Sequence, residues 1–220
     1  MDNEVIVPSL TFIAPVNAIN YNNAKPIFMD NDDYYTIDVN KTIEFLNKKS
    51  QTILRKKLPI TINKKTGNRI VALIVVHLFG NAVKLDKLVD LCRKKNIALV
   101  EDAAESIGTF YKLGRYKKKH TGTIGIIGCL SFNGNKIMTT GGEGGFITVN
   151  DPDYFNLCAS ISAIGIDQQS TTEIYNIAGS NNRMTEFQAI IGKSQLQRLE
   201  YFVKHRNTIA EIYKNKLAVN

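Results

Sequence analysis

Apolar residues fall into two alternating patterns along the chain: short β-branched runs, and stretches where they recur every three or four positions. That alternation predicts βαβ units, hence a mostly parallel sheet flanked by helices. Val5-Ile6-Val7 reads as a strand, followed by Thr11 as the cap of a helix with Pro15 in its opening turn. Lys25 to Asp30 predicts the next strand. Asp38 then caps a helix carrying Ile43, Phe45 and Leu46, with Lys48 and Lys49 in its last turn. Residues 56–69 are polar and hold a turn cluster from Asn63 to Asn68.

Ile70 to Val76 is apolar throughout, which fits a strand buried on both faces. Leu85, Leu88, Val89 and Cys92 then mark a helix. Ile97 to Val100, a run ending at Phe132, and Gly145 to Val149 predict three more strands. Beyond Asp151-Pro152 helical patterns cover about 153–164 and 185–216, with Gly192 interrupting the apolar stripe of the second.

Composition narrows the class. A chain of 220 residues, 44% hydrophobic and 22% charged, can bury the core of one domain or one and a half. Its longest apolar stretch, Ile70 to Phe79, is far short of the roughly 20 residues a membrane span needs. The three cysteines, Cys92, Cys129 and Cys158, are odd in number and widely spaced, so they form neither a metal nor a disulfide framework. That usage, and the absence of a cationic-then-apolar leader before Val5, favours the cytoplasm. The net charge is +8, concentrated at Arg55-Lys56-Lys57, Lys64-Lys65 and Lys117-Lys118-Lys119. These clusters sit in turn-like segments with few aromatics, so solvated loops explain them better than a nucleic-acid partner does.

Candidate chemistry lies at two strand ends. Asp102 follows Ile97 to Val100, and Lys136 follows the run ending at Phe132. In parallel sheets the carboxyl ends of strands are where ligands bind. Alone, Asp102 is a helix cap and Lys136 a solvated loop residue. Together they suggest Schiff-base chemistry on a heterocyclic cofactor such as pyridoxal phosphate. The lysine would bind it, and the carboxylate would pair with its ring nitrogen. Asn133-Gly134-Asn135 would let backbone approach closely. Gly141 to Gly145 resembles a phosphate cradle, but no Lys-Ser/Thr pair follows, which disfavours a P-loop.

Five segments in order resemble the DegT/DnrJ/StrS sugar-aminotransferase family, fold type I pyridoxal phosphate enzymes. They are Val5 to Phe12, Val76 to Asn81, Glu101 to Ser106, Ser131 to Lys136, and Gly179 to Met184. The resemblance implies a three-layer α/β sandwich with a mostly parallel central sheet, the family's large domain, here incomplete. It also implies that Lys136 is the catalytic, Schiff-base lysine. Asp102 would bind the pyridine nitrogen, and Glu105 would reach the phenolic-oxygen side. Phe12 would stack on the ring, although a core aromatic at a helix start is an equal reading of its position. Ser131 would donate to the phosphate, or be simply an alternating strand residue. Asn181 would reach the phosphate of the neighbouring subunit, or be only a turn residue beside Gly179 and Ser180. His77 is expected to be a satisfied structural group.

The same resemblance implies an amino transfer from glutamate to a nucleotide-linked keto-sugar, in a homodimer. Residues 1–200 would be a partial cofactor-binding domain, and 201–220 a helix leading toward a small domain outside this sequence. The family's Gly-Thr phosphate grip would also precede this sequence, so a second chain would supply the missing segments. Ile126 stands where the family has Asp, Asn182 where Tyr is common, and Arg115 to His120 lengthens a loop. The alternative is a non-catalytic remnant serving as dimerisation or regulatory partner of a full-length relative.

Overall fold

The computed structural model describes residues 2–167 and 169–217. They form two compact units, residues up to 130 with 147–149, and residues 131–146 with those from 150 on. In the first unit the chain runs β1 (Asn3–Pro8), α1 (Ile13–Tyr21), β2 (Lys25–Met29), α2 (Val39–Lys48), β3 (Ser50–Arg55), β4 (Leu58–Asn63), β5 (Arg69–Val76), α3 (Asp86–Lys95), β6 (Ala98–Asp102) and β7 (Ile127–Ser131). With β8 (Gly145–Val149) the strands order as β2-β1-β5-β6-β7-β8. The pairs β2/β1, β1/β5, β5/β6 and β6/β7 are all parallel.

Side-chain alternation explains the layers. Along β1, Ile6 joins one apolar cluster while Val5 and Val7 join another. The first cluster takes Leu46 from α2 and Leu88 and Cys92 from α3; the second takes Val16 and Ile19 from α1. One helix therefore covers one sheet face and two cover the other, the three-layer arrangement expected. Burial also pushes the Cys92 thiol up to about 12, so it behaves as a small apolar group. In β5 the alternation slips at Val71 and Ala72, which both face the α1 side. The β1 register shifts at that point, Glu4 opposing Ile70 and Val5 opposing Ala72, so Val71 is the extra residue of a bulge.

Three expectations are corrected. Helix α1 starts one residue late: Phe12 occupies the cap position without a side-chain cap bond, and Thr11 is not the cap. The polar 56–69 segment contains most of a hairpin, β3 pairing antiparallel with β4. Its two-residue turn is Lys56-Lys57, both at positive φ (50° and 67°), a geometry that Asn-Gly would have advertised and Lys-Lys does not. The stretch 185–216, expected as one helix, is two, α5 (Glu186–Leu196) and α6 (Leu199–Leu217), separated at Gln197-Arg198. Asp38, by contrast, caps α2 through the Lys41 N–H, as its pattern predicts.

In the second unit α4 (Pro152–Ser162) is capped by Asp151, which accepts from the N–H groups of Asp153 and Tyr154. Gly165, at φ +88°, turns the chain so tightly that a Cβ there would lie 1.9 Å from the Ile177 carbonyl oxygen. Of the segment 201–220, residues 201–217 belong to α6 and the last three lie outside the described residues.

Candidate active site

Parallel pairing places the carboxyl ends of β1, β5 and β6 along one edge of the first unit. Val76 pairs with Asp102, and the His77 N–H donates to the Asp102 carbonyl at 2.9 Å. On the other side Asp102 pairs with Cys129, and the Ala103 N–H donates to the Cys129 carbonyl. The Asp102 backbone is thus held from both neighbouring strands. Its carboxylate Oδ1 accepts from the Ala104 N–H at 3.0 Å, which orients a half-buried acid at the strand end.

Glu105 sits just beyond, and its Oε2 accepts from the Phe79 N–H at 2.9 Å. Phe79 has φ +55°, a conformation strained for an aromatic residue, and the Glu105 bond helps hold it there. Phe12 follows β1 at the same edge and is 72% exposed, so it is not a core aromatic in this unit. Beside it, Thr11 Oγ1 is buried without a hydrogen-bond partner among the described residues.

Beneath the edge lies a group the pattern reading passed over. Glu101 is fully buried and accepts from four donors. The Ile124 and Gly125 N–H groups reach Oε1 at 2.6 and 2.5 Å. The Gly122 N–H and His77 Nε2 reach Oε2 at 2.8 and 2.9 Å. His77 Nδ1 accepts from the Val83 N–H at 3.1 Å, so the proton must be on Nε2 and the imidazole is neutral. His77 is therefore the satisfied structural group expected. Burial pushes the Glu101 carboxyl up. The His77 bond and the Gly125 and Gly122 N–H groups outweigh it and hold the group below the usual carboxylate range. A signal did exist, since Glu101 shares the core-facing side of β6 with Leu99.

A depressed carboxylate stabilises the fold fully above the unfolded value of about 4.3, and that stability disappears as pH falls through the lower folded value. Acid unfolding followed by circular dichroism should show wild type losing its advantage over Glu101→Gln below about pH 4. A constant gap at all acid pH values would refute this.

The second unit carries Ser131, Lys136 and Asn181. Ser131 ends β7, and its Oγ accepts from the Asn133 N–H at 3.3 Å. Lys136 lies in a loop closed at its base, where the Gly134 N–H donates to the Gly142 carbonyl and the Thr140 N–H to that of Phe132. Helix α5 backs this loop: Gln188 Nε2 donates to the Glu143 carbonyl at 3.0 Å. A Cβ on Gly192 would stand 2.9 Å from Thr140 Cγ2. Thr140 is buried and β-branched and cannot swing aside, so Gly192→Ala should cost about 1–3 kcal/mol. A thermal melt checks this; an unchanged midpoint would contradict the close approach. Asn181 is exposed, on a segment pinned to the end of α4 by Ser180 N–H to Ile161 O and Asn182 N–H to Ser162 O.

These groups fit a phosphorylated pyridine cofactor by their chemistry. Two carboxylates lie at one sheet edge, an exposed aromatic ring follows β1, and the orphaned Thr11 hydroxyl has capacity for a polar ligand. The strand topology and these groups are those of an α/β cofactor-binding domain. The chain belongs to the DegT/DnrJ/EryC1/StrS aminotransferase family, whose model matches residues 1–220 and whose members depend on pyridoxal phosphate.

It is 35% identical over 216 residues to GDP-perosamine synthase of Escherichia coli O157:H7, covering 98% of this chain and 52% of that protein. To GDP-perosamine synthase of Caulobacter vibrioides it is 36% identical over 217 residues, covering 98% of this chain and 51% of the relative. A solved family aminotransferase from Brucella abortus superposes with a TM-score of 0.82 at 26% identity, over 98% of this chain and 53% of that one. The chain spans about half the length of the relatives it matches. No helix among the described residues is long and apolar enough to cross a membrane.

Proposed function

We propose that this chain carries the cofactor-binding core of a pyridoxal phosphate-dependent aminotransferase that moves an amino group from glutamate to a nucleotide-linked keto-sugar in the cytoplasm. The observation that carries this reading is Asp102, an oriented carboxylate at the carboxyl end of β6, in a chain that also keeps Lys136 in a closed loop. The substrate class follows the names of the relatives, GDP-perosamine synthases among them.

Pyridoxal phosphate, when bound, supplies an electron sink and a carrier for the amino group. Asp102 would hold the proton on the ring nitrogen by charge pairing, and Glu105 would reach the phenolic-oxygen side. Phe12 covers a ring face, while Ser131 and Asn181 donate to the phosphate, Asn181 across a homodimer. Lys136 Nζ would bind the cofactor covalently and, once released, would serve as the proton shuttle in each of the two half-reactions. Residues 1–200 form the cofactor-binding part and α6 leads out of it.

A partner chain is supported by the second unit, where α4 and α6 bury no residue and Phe155, Phe187, Ile190, Tyr201 and Tyr213 are exposed. The partner is a second copy or a chain supplying further segments. The alternative, a non-catalytic dimerisation module, would use the same surface. Adding pyridoxal phosphate to the purified protein decides between them. A Schiff-base absorbance band that is lost in Lys136→Ala supports the enzyme; no band in wild type removes it.

A further inference from the structure

We propose that Glu101 is a positioning residue for the cofactor edge: its buried carboxylate sets the placement of both Asp102 and Glu105. The inference rests on the aminotransferase reading for its consequence, but its geometry stands independently.

Two chains of contact lead from Glu101 to those acids. One runs through His77, whose Nε2–H donates to Glu101 and whose own backbone N–H donates to the Asp102 carbonyl. Because Nδ1 accepts from the Val83 N–H, the imidazole spans and shapes the turn from 77 to 83. That turn contains Phe79, the residue whose N–H the Glu105 carboxylate accepts. It is tied down further by Thr109 Oγ1 donating to the Gly80 carbonyl.

The other contact chain runs through residues 122–125. Glu101 gathers three N–H groups of this segment, which carries Gly122 at φ +78° against Ala103, the residue after Asp102. A Cβ on Gly122 would lie 2.8 Å from that of Ala103, so the segment presses directly on the strand end. Letting go of Glu101 releases both the turn before the edge and the segment behind it.

Only an ionised carboxylate satisfies this set. Four donors converge on two oxygens, two on each, and a carboxylate has the lone pairs for all of them. Glutamine offers one oxygen and one NH2. With the NH2 toward Ile124 and Gly125, it opposes two N–H donors. With the NH2 toward His77 and Gly122, it opposes the Gly122 N–H. Accepting it there would also force the imidazole proton onto Nδ1, against the Val83 N–H. Either orientation leaves buried donors facing donors, so an isosteric change should move the edge. The other titratable neighbour is Tyr111, whose ring packs edge-on to His77 and whose hydroxyl donates to the Val83 carbonyl; burial keeps it protonated. It therefore supplies no competing charge.

The test compares wild type with Glu101→Gln, and with His77→Gln, in which the side-chain amide can still donate to Glu101. In Glu101→Gln, amide hydrogen exchange at Phe79 and Ala104, the donors to Glu105 and Asp102, should accelerate at least tenfold. Exchange in the α1 face of the sheet should stay unchanged. Imidazole nitrogen spectra should show the Nε2–H tautomer at neutral pH in wild type and lose it in the variant. With pyridoxal phosphate added, Glu101→Gln should keep its Lys136 band but bind about tenfold more weakly, and His77→Gln should show a smaller loss. If Glu101→Gln does not fold, the exchange comparison is made on His77→Gln, where an intermediate acceleration is expected. Unchanged exchange at Phe79 and Ala104, or acceleration spread evenly over the sheet, overturns the proposal whether or not the cofactor binds. Absence of any band in wild type overturns the aminotransferase reading and leaves the exchange result to stand for the clamp.

Discussion

Asp102→Ala should lower amino transfer about a thousandfold while leaving the fold in place. Opposite charges about 4 Å apart in a partly shielded site interact by roughly 4 kcal/mol, and each 1.36 kcal/mol of lost stabilisation is a factor of ten. The structural cost is smaller. Asp102 is half-buried, and losing the bond its carboxylate accepts from the Ala104 N–H costs about 0.5–1.5 kcal/mol. Asp102→Asn separates the two effects. Its oxygen can still accept from Ala104, but it carries no charge to hold a proton on a ring nitrogen. Transfer in Asp102→Asn should therefore fall nearly as far as in Asp102→Ala, while its melting temperature matches wild type. Steady-state turnover beside a thermal melt reads both quantities. Near-wild-type turnover in Asp102→Asn would show that the carboxylate only shapes the strand end.

Gly128→Ala should be the most damaging single substitution in the sheet. A Cβ on Gly128 would stand 1.9 Å from the Gly122 carbonyl oxygen and 2.6 Å from Thr148 Oγ1. Thr148 also donates to that Gly122 carbonyl, so neither neighbour can retreat without breaking a bond. The obstruction is backbone, not the tip of a flexible side chain. Overpacking usually costs about 1–3 kcal/mol. Here relief requires moving the 122–125 segment off Glu101, which exposes buried donors and takes the cost to the top of that range or beyond. Soluble yield and the unfolding midpoint in urea measure it. A variant that expresses and unfolds like wild type would mean that this segment is far looser than its hydrogen bonds imply.

Glu101, Gly122 and Gly128 are the residues that resisted reading from sequence, and the reason is common to them. Each owes its role to a segment outside its own element: Glu101 to His77, 24 positions earlier, Gly122 to Ala103 on the far side of a loop, and Gly128 to Gly122 and Thr148. Periodicity reports which face a residue occupies, not which donors from another loop converge on it. The hairpin of β3 and β4 was hidden for a different reason. Its turn is made by Lys56 and Lys57 at positive φ, a geometry that neither side chain favours and that strand pairing imposes.

What the sequence determined by itself is the set of local decisions. These are the βαβ alternation, the Asp38 cap, the continuous apolar run of β5, and the delivery of Asp102 to a strand end with Lys136 in a small polar loop. All depend on contacts within a few residues, which period and capping chemistry record. Tertiary structure decided the rest. It assigned Ile6 and Val5 to opposite layers, slipped the register at Val71, and began α1 at Ile13 with Phe12 as its cap. It also turned a glutamate between Val100 and Asp102 into the buried acceptor on which the carboxyl edge of the sheet is hung. Those outcomes follow from satisfying buried donors and filling two faces at once, conditions that exist only when distant segments meet.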